Sequence, residues 1–270
     1  MRYTEEIEIV QSSYYKKLFA LAKSTPNAPL RLEIGILKLS SKVFKLTWGY
    51  IVKILEMNDA RLPKICLLRL IYLHRFTDSC TQYNWVSQFN VFLEKINMTH
   101  LLETTIPESW KEVEELAFER FNRYLKFTDV LACSRLTHMN LVVPRSLECG
   151  TASYILSENN HCLTKLIIQL RLSTKYNVRF CFKGSIYKIN QNNQCTTCSM
   201  SKLETLEHIV TECPTYYALR THYLSELLYI ANILNTNPMY ILNLTDQYSL
   251  KMIYYFIVNC LKLRASLGFE

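Results

Sequence analysis

The spacing Cys195-x2-Cys198-x9-His208-x4-Cys213 restricts this chain more than any other feature of its sequence. Two cysteines separated by two residues suit a tight turn that aims both thiolates at one point. A histidine and a third cysteine downstream complete a set of four. Zinc takes four tetrahedral nitrogen and sulfur ligands in closed structural sites, and four protein ligands leave no open position for a substrate. One structural zinc is therefore expected, held by Cys195, Cys198, His208 and Cys213. Ser201 to Glu204 has the form of a capping box and predicts a helix start near Lys202. That helix would carry His208, bring in Cys213 just over one turn later and stop at Pro214. Leu203, Leu206, Ile209 and Val210 would face the core.

Upstream of the cysteines the pattern alternates. Val178–Phe182 and Ser185–Ile189 flank Lys183-Gly184 and predict a short β-hairpin, after a helix over His161–Leu172. The rest reads as helix. Five glycines in 270 residues leave little material for tight hairpins and favour long helices. Apolar residues recur at helical spacing in Glu5–Ala22 (Ile7, Val10, Tyr14, Leu18 and Leu21) and in Leu30–Met57, which Gly35 and the Ser40-Ser41 pair divide. Further helices are expected from Leu62 to about Arg75, over Gln82–Ile96, and after a Thr105–Glu108 capping box with Pro107 in the first turn. The last turns Trp110, Val113, Ala117, Phe121 and Tyr124 to one side. The expected fold class is mainly α. A helical region over 1–137 precedes a hairpin-plus-helix zinc-knuckle unit in 160–225 and a helical tail in 226–270, with a turn-rich boundary at 137–158.

The formal charge of +8 is concentrated. Residues 159–203 contain no Asp or Glu but hold Lys165, Arg171, Lys175, Arg179, Lys183, Lys188 and Lys202. Such a strip suits a polyanion, because neutralised phosphates release bound counterions. Tyr176, Phe180, Phe182 and Tyr187 lie between the cations, and aromatic rings can stack on unpaired bases while cations follow the backbone. Arg171, Lys175, Arg179, Lys183 and Lys188, with Tyr176 and Tyr187, are the candidate contacts to RNA or DNA; Phe180 and Phe182 are expected to face inward. The alternative is a structural or protein-interaction helical module, in which the strip is a solvated face or docks an acidic protein.

The first ten residues are charged and contain no apolar signal segment, so an intracellular setting, nuclear or cytoplasmic, is expected rather than secretion. In a reducing compartment clustered cysteines are metal ligands before they are disulfides. The other cysteines, 66, 80, 133, 149, 162, 181 and 260, lack ligand spacing and are expected as small buried hydrophobes. The longest apolar run, Met252–Leu263, is interrupted by Asn259 and Lys262 and is too short to span a membrane. Chemistry is hard to find. The four aspartates, Asp59, Asp78, Asp129 and Asp246, are scattered, whereas two-metal phosphoryl transfer needs converging carboxylates. No Walker-type glycine loop, GxSxG or HExxH occurs, and the chain is not expected to be an enzyme.

The motif region resembles a known family. QLRLSTKYNVRFCFKG at 169–184, CTTC at 195–198 and ETLEHIVTECPTYYALR at 204–220 are similar to the zinc-binding region at the C-terminal end of non-LTR retrotransposon reverse transcriptases of the arthropod type. The matching positions are Gln169 to Arg171, Cys195, Cys198, Glu204-Thr205, His208, Glu212-Cys213-Pro214 and Arg220. RLEIGILKLSSKVFKLTWGYIVKILEMNDARLPKICLLRL at 31–70, with Thr25-Pro26 before it, resembles the helical stretch that follows the polymerase core in the same proteins. The resemblance implies a region that holds element RNA or target DNA near a polymerase, and it adds Arg220 to the candidate contacts. The family's Tyr-x-Asp-Asp signature is absent, so the expectation is a non-catalytic terminal piece of such a protein.

Overall fold

The computed structural model describes residues 2–76, 84–136, 154–155, 160–173, 177–182, 185–190, 193–244 and 246–267. Eight helices come first among these: α1 (Arg2–Leu18), α2 (Asn27–Ile34), α3 (Leu39–Leu55), α4 (Leu62–Phe76), α5 (Trp85–Glu94), α6 (Pro107–Glu112), α7 (Glu114–Ser134) and α8 (His161–Arg171). An antiparallel hairpin of β1 (Asn177–Phe182) and β2 (Ser185–Asn190) follows. Beyond the cysteine motif come α9 (Tyr217–Tyr223), α10 (Ser225–Ile233) and α11 (Gln247–Ser266). The protein is mainly α, as its apolar periodicity predicts.

The chain forms two compact units, one of residues 1–10 and 37–129, the other of 11–36 and 130–270. The division expected from sequence runs along the chain, at 137–158 and at 226, and the compact units do not follow it. The cut falls at Asp129, and 11–36 belongs with the C-terminal half. Nor is 226–270 a separate tail: Ile253, Phe256 and Leu261 of α11 are buried in one cluster with Ile168 and Leu170 of α8 and Leu206 and Ile209 of the motif. A shared core cannot be partitioned along the sequence. Residues 137–153 of the expected boundary lie outside the described residues.

In the first unit the core is aromatic. Phe44 and Trp48 of α3 are almost fully buried with Phe89, Trp110 and Phe121. The Phe44 and Phe121 rings stack with centroids 4.3 Å apart, and Trp48 meets Trp110 edge-on at 5.0 Å. Such pairs contribute about 0.5–1.5 kcal/mol beyond area burial. Pro107 opens α6 as expected, but the capping box does not form: Ile106 occupies the cap position, and its N–H donates to Thr104 Oγ1 at 3.2 Å.

Helix α2, in the second unit, ends at Gly35, whose φ of 74° puts it in the left-handed region that glycine enters without Cβ strain. Its N–H and that of Ile36 both donate to the Arg31 carbonyl, closing the helix end. Helix α1 departs from expectation. Ile7, Val10, Tyr14 and Leu18 are exposed, because over 11–19 it is Ser12, Tyr15 and Phe19 that turn inward. The hairpin forms as predicted, with Phe180 opposite Tyr187 and Phe182 opposite Ser185. Phe180 and Ile189 are buried, and β1 runs beside α8.

Truncating Phe44 to Ala removes the ring that several others pack on and should cost about 3–5 kcal/mol. Chemical denaturation should show an earlier transition for the first unit while the metal content of the chain stays the same.

Candidate metal centre

The second unit builds the cysteine motif from a short ladder and a widened helical turn. The Cys195 N–H donates to the Lys202 carbonyl and the Glu204 N–H to the Asn193 carbonyl, both at 2.8 Å, and Gln194 pairs with Leu203 across them. The chain between reverses through Cys198, with Ser201 left-handed at φ 54°. The capping box expected at Ser201–Glu204 is therefore a correction: those residues extend the ladder. Thr205 caps the helix instead, its Oγ1 accepting the His208 N–H at 3.0 Å. One consequence is that Leu203 stands 51% exposed, while Leu206, Ile209 and Val210 are buried as expected.

His208–Glu212 is a π turn, closed by the Cys213 N–H donating to the His208 carbonyl at 2.7 Å. Five residues along an α-helix would leave the two side chains about 140° apart around the axis. The wider i→i+5 turn reduces that angle and lets both face one point. The ligand atoms of Cys195, Cys198, His208 and Cys213 all lie within 4.8 Å of one another. Among the described residues this is the one group of three or more such side chains close enough to share an ion. All four candidates from the sequence are brought together. His208, Cys195 and Cys213 are buried, and Cys198 is half-buried.

Sequence reasoning missed the groups that orient these ligands. His208 presents Nε2 to Cys198 Sγ at 3.4 Å, and its Nδ1 lies 3.3 Å from Glu212 Oε2. A carboxylate on the far ring nitrogen selects the tautomer whose Nε2 lone pair points into the cluster. Lys202 Nζ donates to the same Glu212 oxygen at 2.9 Å. This contact holds the Glu212 carboxyl below its usual range, helped by His208. The Thr197 hydroxyl lies 3.2 Å from Cys195 Sγ and 3.8 Å from Cys213 Sγ, spanning two of the three thiols. Thr215 Oγ1 donates to the Thr197 carbonyl and fixes that residue. The i,i+4 spacing of His208 and Glu212 is the signal that could have identified the carboxylate.

Burial pushes the Cys198 thiol up to about 11. At Cys195 burial acts in the same direction, but hydrogen bonds from Thr197 and Cys198 prevail and lower it. Glu204 ties the knuckle to α11 through a buried, two-pronged pair with Arg264, one prong running from Nη2 to Oε2 at 3.2 Å.

The candidate nucleic-acid contacts fare differently. Arg171 is buried, its Nε 3.1 Å from Glu33 and its guanidinium over the Tyr154 ring; the family-like Gln-Leu-Arg segment thus ends in an internal ion pair. Arg220 is half-buried and donates to the carbonyls of Ile209, Val210 and Cys213. Tyr187 packs half-buried on the core beside Phe180, because the strand pleat places both on one face. Each of these three side chains is engaged within the protein. Arg179 and Lys188 are register partners at positions of the opposite parity. Lys175, Tyr176 and Lys183 lie outside the described residues. Of the other cysteines, Cys133 and Cys260 are buried as expected, whereas Cys66 and Cys162 are exposed. Among the described residues no helix is long and apolar enough to cross a membrane.

No known family model, curated protein or solved structure matches this chain.

Two outcomes follow from the geometry. Metal must displace the Cys198 proton, and a raised pKa means that proton is held more tightly than usual. Apparent metal affinity, read by chelator competition, should therefore still climb between about pH 8 and 10; a plateau by pH 8 contradicts the raised thiol. Arg264→Met strands the Glu204 carboxylate in the core and should cost about 3–5 kcal/mol in denaturant unfolding. Adding Glu204→Leu should restore most of that loss.

Proposed function

We propose that this chain is a zinc-stapled, helix-rich module that binds RNA or DNA and does no chemistry of its own. Three thiols and an imidazole suit zinc, for which sulfur and nitrogen on one tetrahedral ion stand about 3.6 Å apart. The Cys198–His208 separation of 3.4 Å agrees with that spacing. Four protein ligands close the coordination sphere, so the ion serves folding rather than catalysis.

The observation that carries the binding reading is the pairing of Arg179 with Lys188 across the hairpin. Like charges directly opposite on neighbouring strands destabilise a sheet. A bound phosphate backbone converts that repulsion into attraction, and no acidic residue lies in 159–203 to do so from within the stretch. Of the strip's seven cations, Arg171 is committed to Glu33 and Lys202 to Glu212; Lys165 lies on α8, and Arg179, Lys183 and Lys188 fall within the hairpin sequence with Lys175 just before it, which favours the hairpin as the main contact element. The matching positions from Gln169 to Arg220 support an origin in the C-terminal region of a non-LTR retrotransposon reverse transcriptase, where such a module would hold element RNA or target DNA.

The exposed Tyr229, Ile230, Ile233 and Leu234 on and just after α10 favour a second reading, a protein-interaction module. Titration of labelled single-stranded RNA and DNA at rising salt separates the two. Nucleic-acid affinity should fall steeply with salt, and Arg179→Ala with Lys188→Ala should reduce the log–log slope by about 2. Absence of binding at low salt, together with a protein pull-down that survives nuclease treatment, would instead establish the second reading.

A further inference from the structure

We infer that Arg220 is a positioning residue for the metal centre: its guanidinium holds the π turn in the shape that brings His208 and Cys213 to one ion. This rests on the metal reading of the four-ligand cluster.

Widening the turn and ending it at Pro214 has a cost in main-chain hydrogen bonds. The Cys213 N–H, which an α-helix would give to the Ile209 carbonyl, goes to His208 instead. The α-helical partner of the Val210 carbonyl would be residue 214, and Pro214 has no N–H. Ile209 and Val210 are both buried, and a buried carbonyl without a donor costs about 1–3 kcal/mol. Arg220, on α9, meets this deficit with one side chain. Nε donates to the Val210 carbonyl at 2.7 Å, while Nη2 reaches the Ile209 carbonyl at 3.3 Å and the Cys213 carbonyl at 2.8 Å. The guanidinium therefore links the turn that carries His208 to the residue that supplies the third thiolate.

The fork is specific to arginine. A planar guanidinium presents several donors in fixed directions, whereas a lysine ammonium is a single mobile point. Charge adds to geometry, because three thiolates on a divalent ion leave one surplus negative charge. The cation bonded to the Cys213 carbonyl sits beside it.

The test uses the full chain loaded with zinc, and in parallel with cobalt, as wild type, Arg220→Lys and Arg220→Gln. Transfer of zinc to a chromophoric chelator reads affinity and release rate; the cobalt ligand-field bands read coordination geometry. Both variants should bind about 10–100-fold more weakly and shift the cobalt bands, the usual effect of removing an outer partner. Unchanged affinity and bands in Arg220→Gln, or full rescue in Arg220→Lys, overturns the inference. A wild-type chain that takes up neither ion overturns the metal reading beneath it, which is a distinguishable result. Should the variants not fold, nitrogen-15 spectra of the unaltered zinc-loaded chain decide. The Arg220 Nε–H should be protected from exchange and lose protection on chelation, and rapid exchange in the loaded chain refutes the role.

Discussion

The bond from the Cys213 N–H to the His208 carbonyl is the interaction on which the candidate metal centre depends. Ladder hydrogen bonds on both sides already fix Cys195 and Cys198 on a reversing loop. The other two ligands come from a helix, where the α-helical repeat would separate them. Shifting one hydrogen bond from i→i+4 to i→i+5 solves the angular problem but takes the main-chain donor from the buried Ile209 carbonyl, and Pro214 denies one to the Val210 carbonyl next to it. Arg220, Thr197 and Glu212 complete the arrangement. The first replaces lost donors, the second bridges two thiols, and the third fixes the imidazole. A π turn is a strained choice for a plain helix and a reasonable one where geometry at a site decides.

The same segment shows how charge is divided between fold and surface. Arg171 and Arg264 each enter the second unit's core with a glutamate, Glu33 and Glu204. Buried pairs of this kind contribute little net stability, since desolvation offsets attraction, but each partner becomes indispensable to the other. The two pairs lock different parts of the unit: one fastens α8 to α2, the other fastens the knuckle to α11. Cationic side chains spent in this way are lost to any external partner. The charge left for recognition is narrower than the acid-free stretch implies.

That narrowing explains what could and could not be read from residues alone. Ligand identity was legible because CxxC, His and Cys at that spacing have few other uses, and the hairpin was legible because alternation flanked a Lys-Gly pair. Roles of individual cations were not legible. Arg171 and Lys188 look alike in sequence, and only the buried Glu33, far from Arg171 along the chain, assigns one of them to the interior. Helix α1 misled in the opposite sense. Its apolar stripe is real, but periodicity states which residues share a face and leaves open whether that face is the covered one. The start of the motif helix was misplaced because Ser201 and Thr205 both suit a cap, and the competing ladder to Asn193 is a tertiary choice.

The candidate ligand cluster and the hydrophobic core share one segment of the second unit. Leu206, Ile209 and Val210 alternate with the ligands along one short segment, so holding His208 and Cys213 on an ion also holds these three against α8 and α11. Without an ion, three thiols and an imidazole remain in a pocket within 4.8 Å of one another, where packing alone must keep polar groups together. The Glu204–Arg264 pair uses none of the ligand side chains, and the ladder at 193–204 engages Cys195 only through its main-chain N–H. The hairpin is joined to the same core through Phe180 and Ile189.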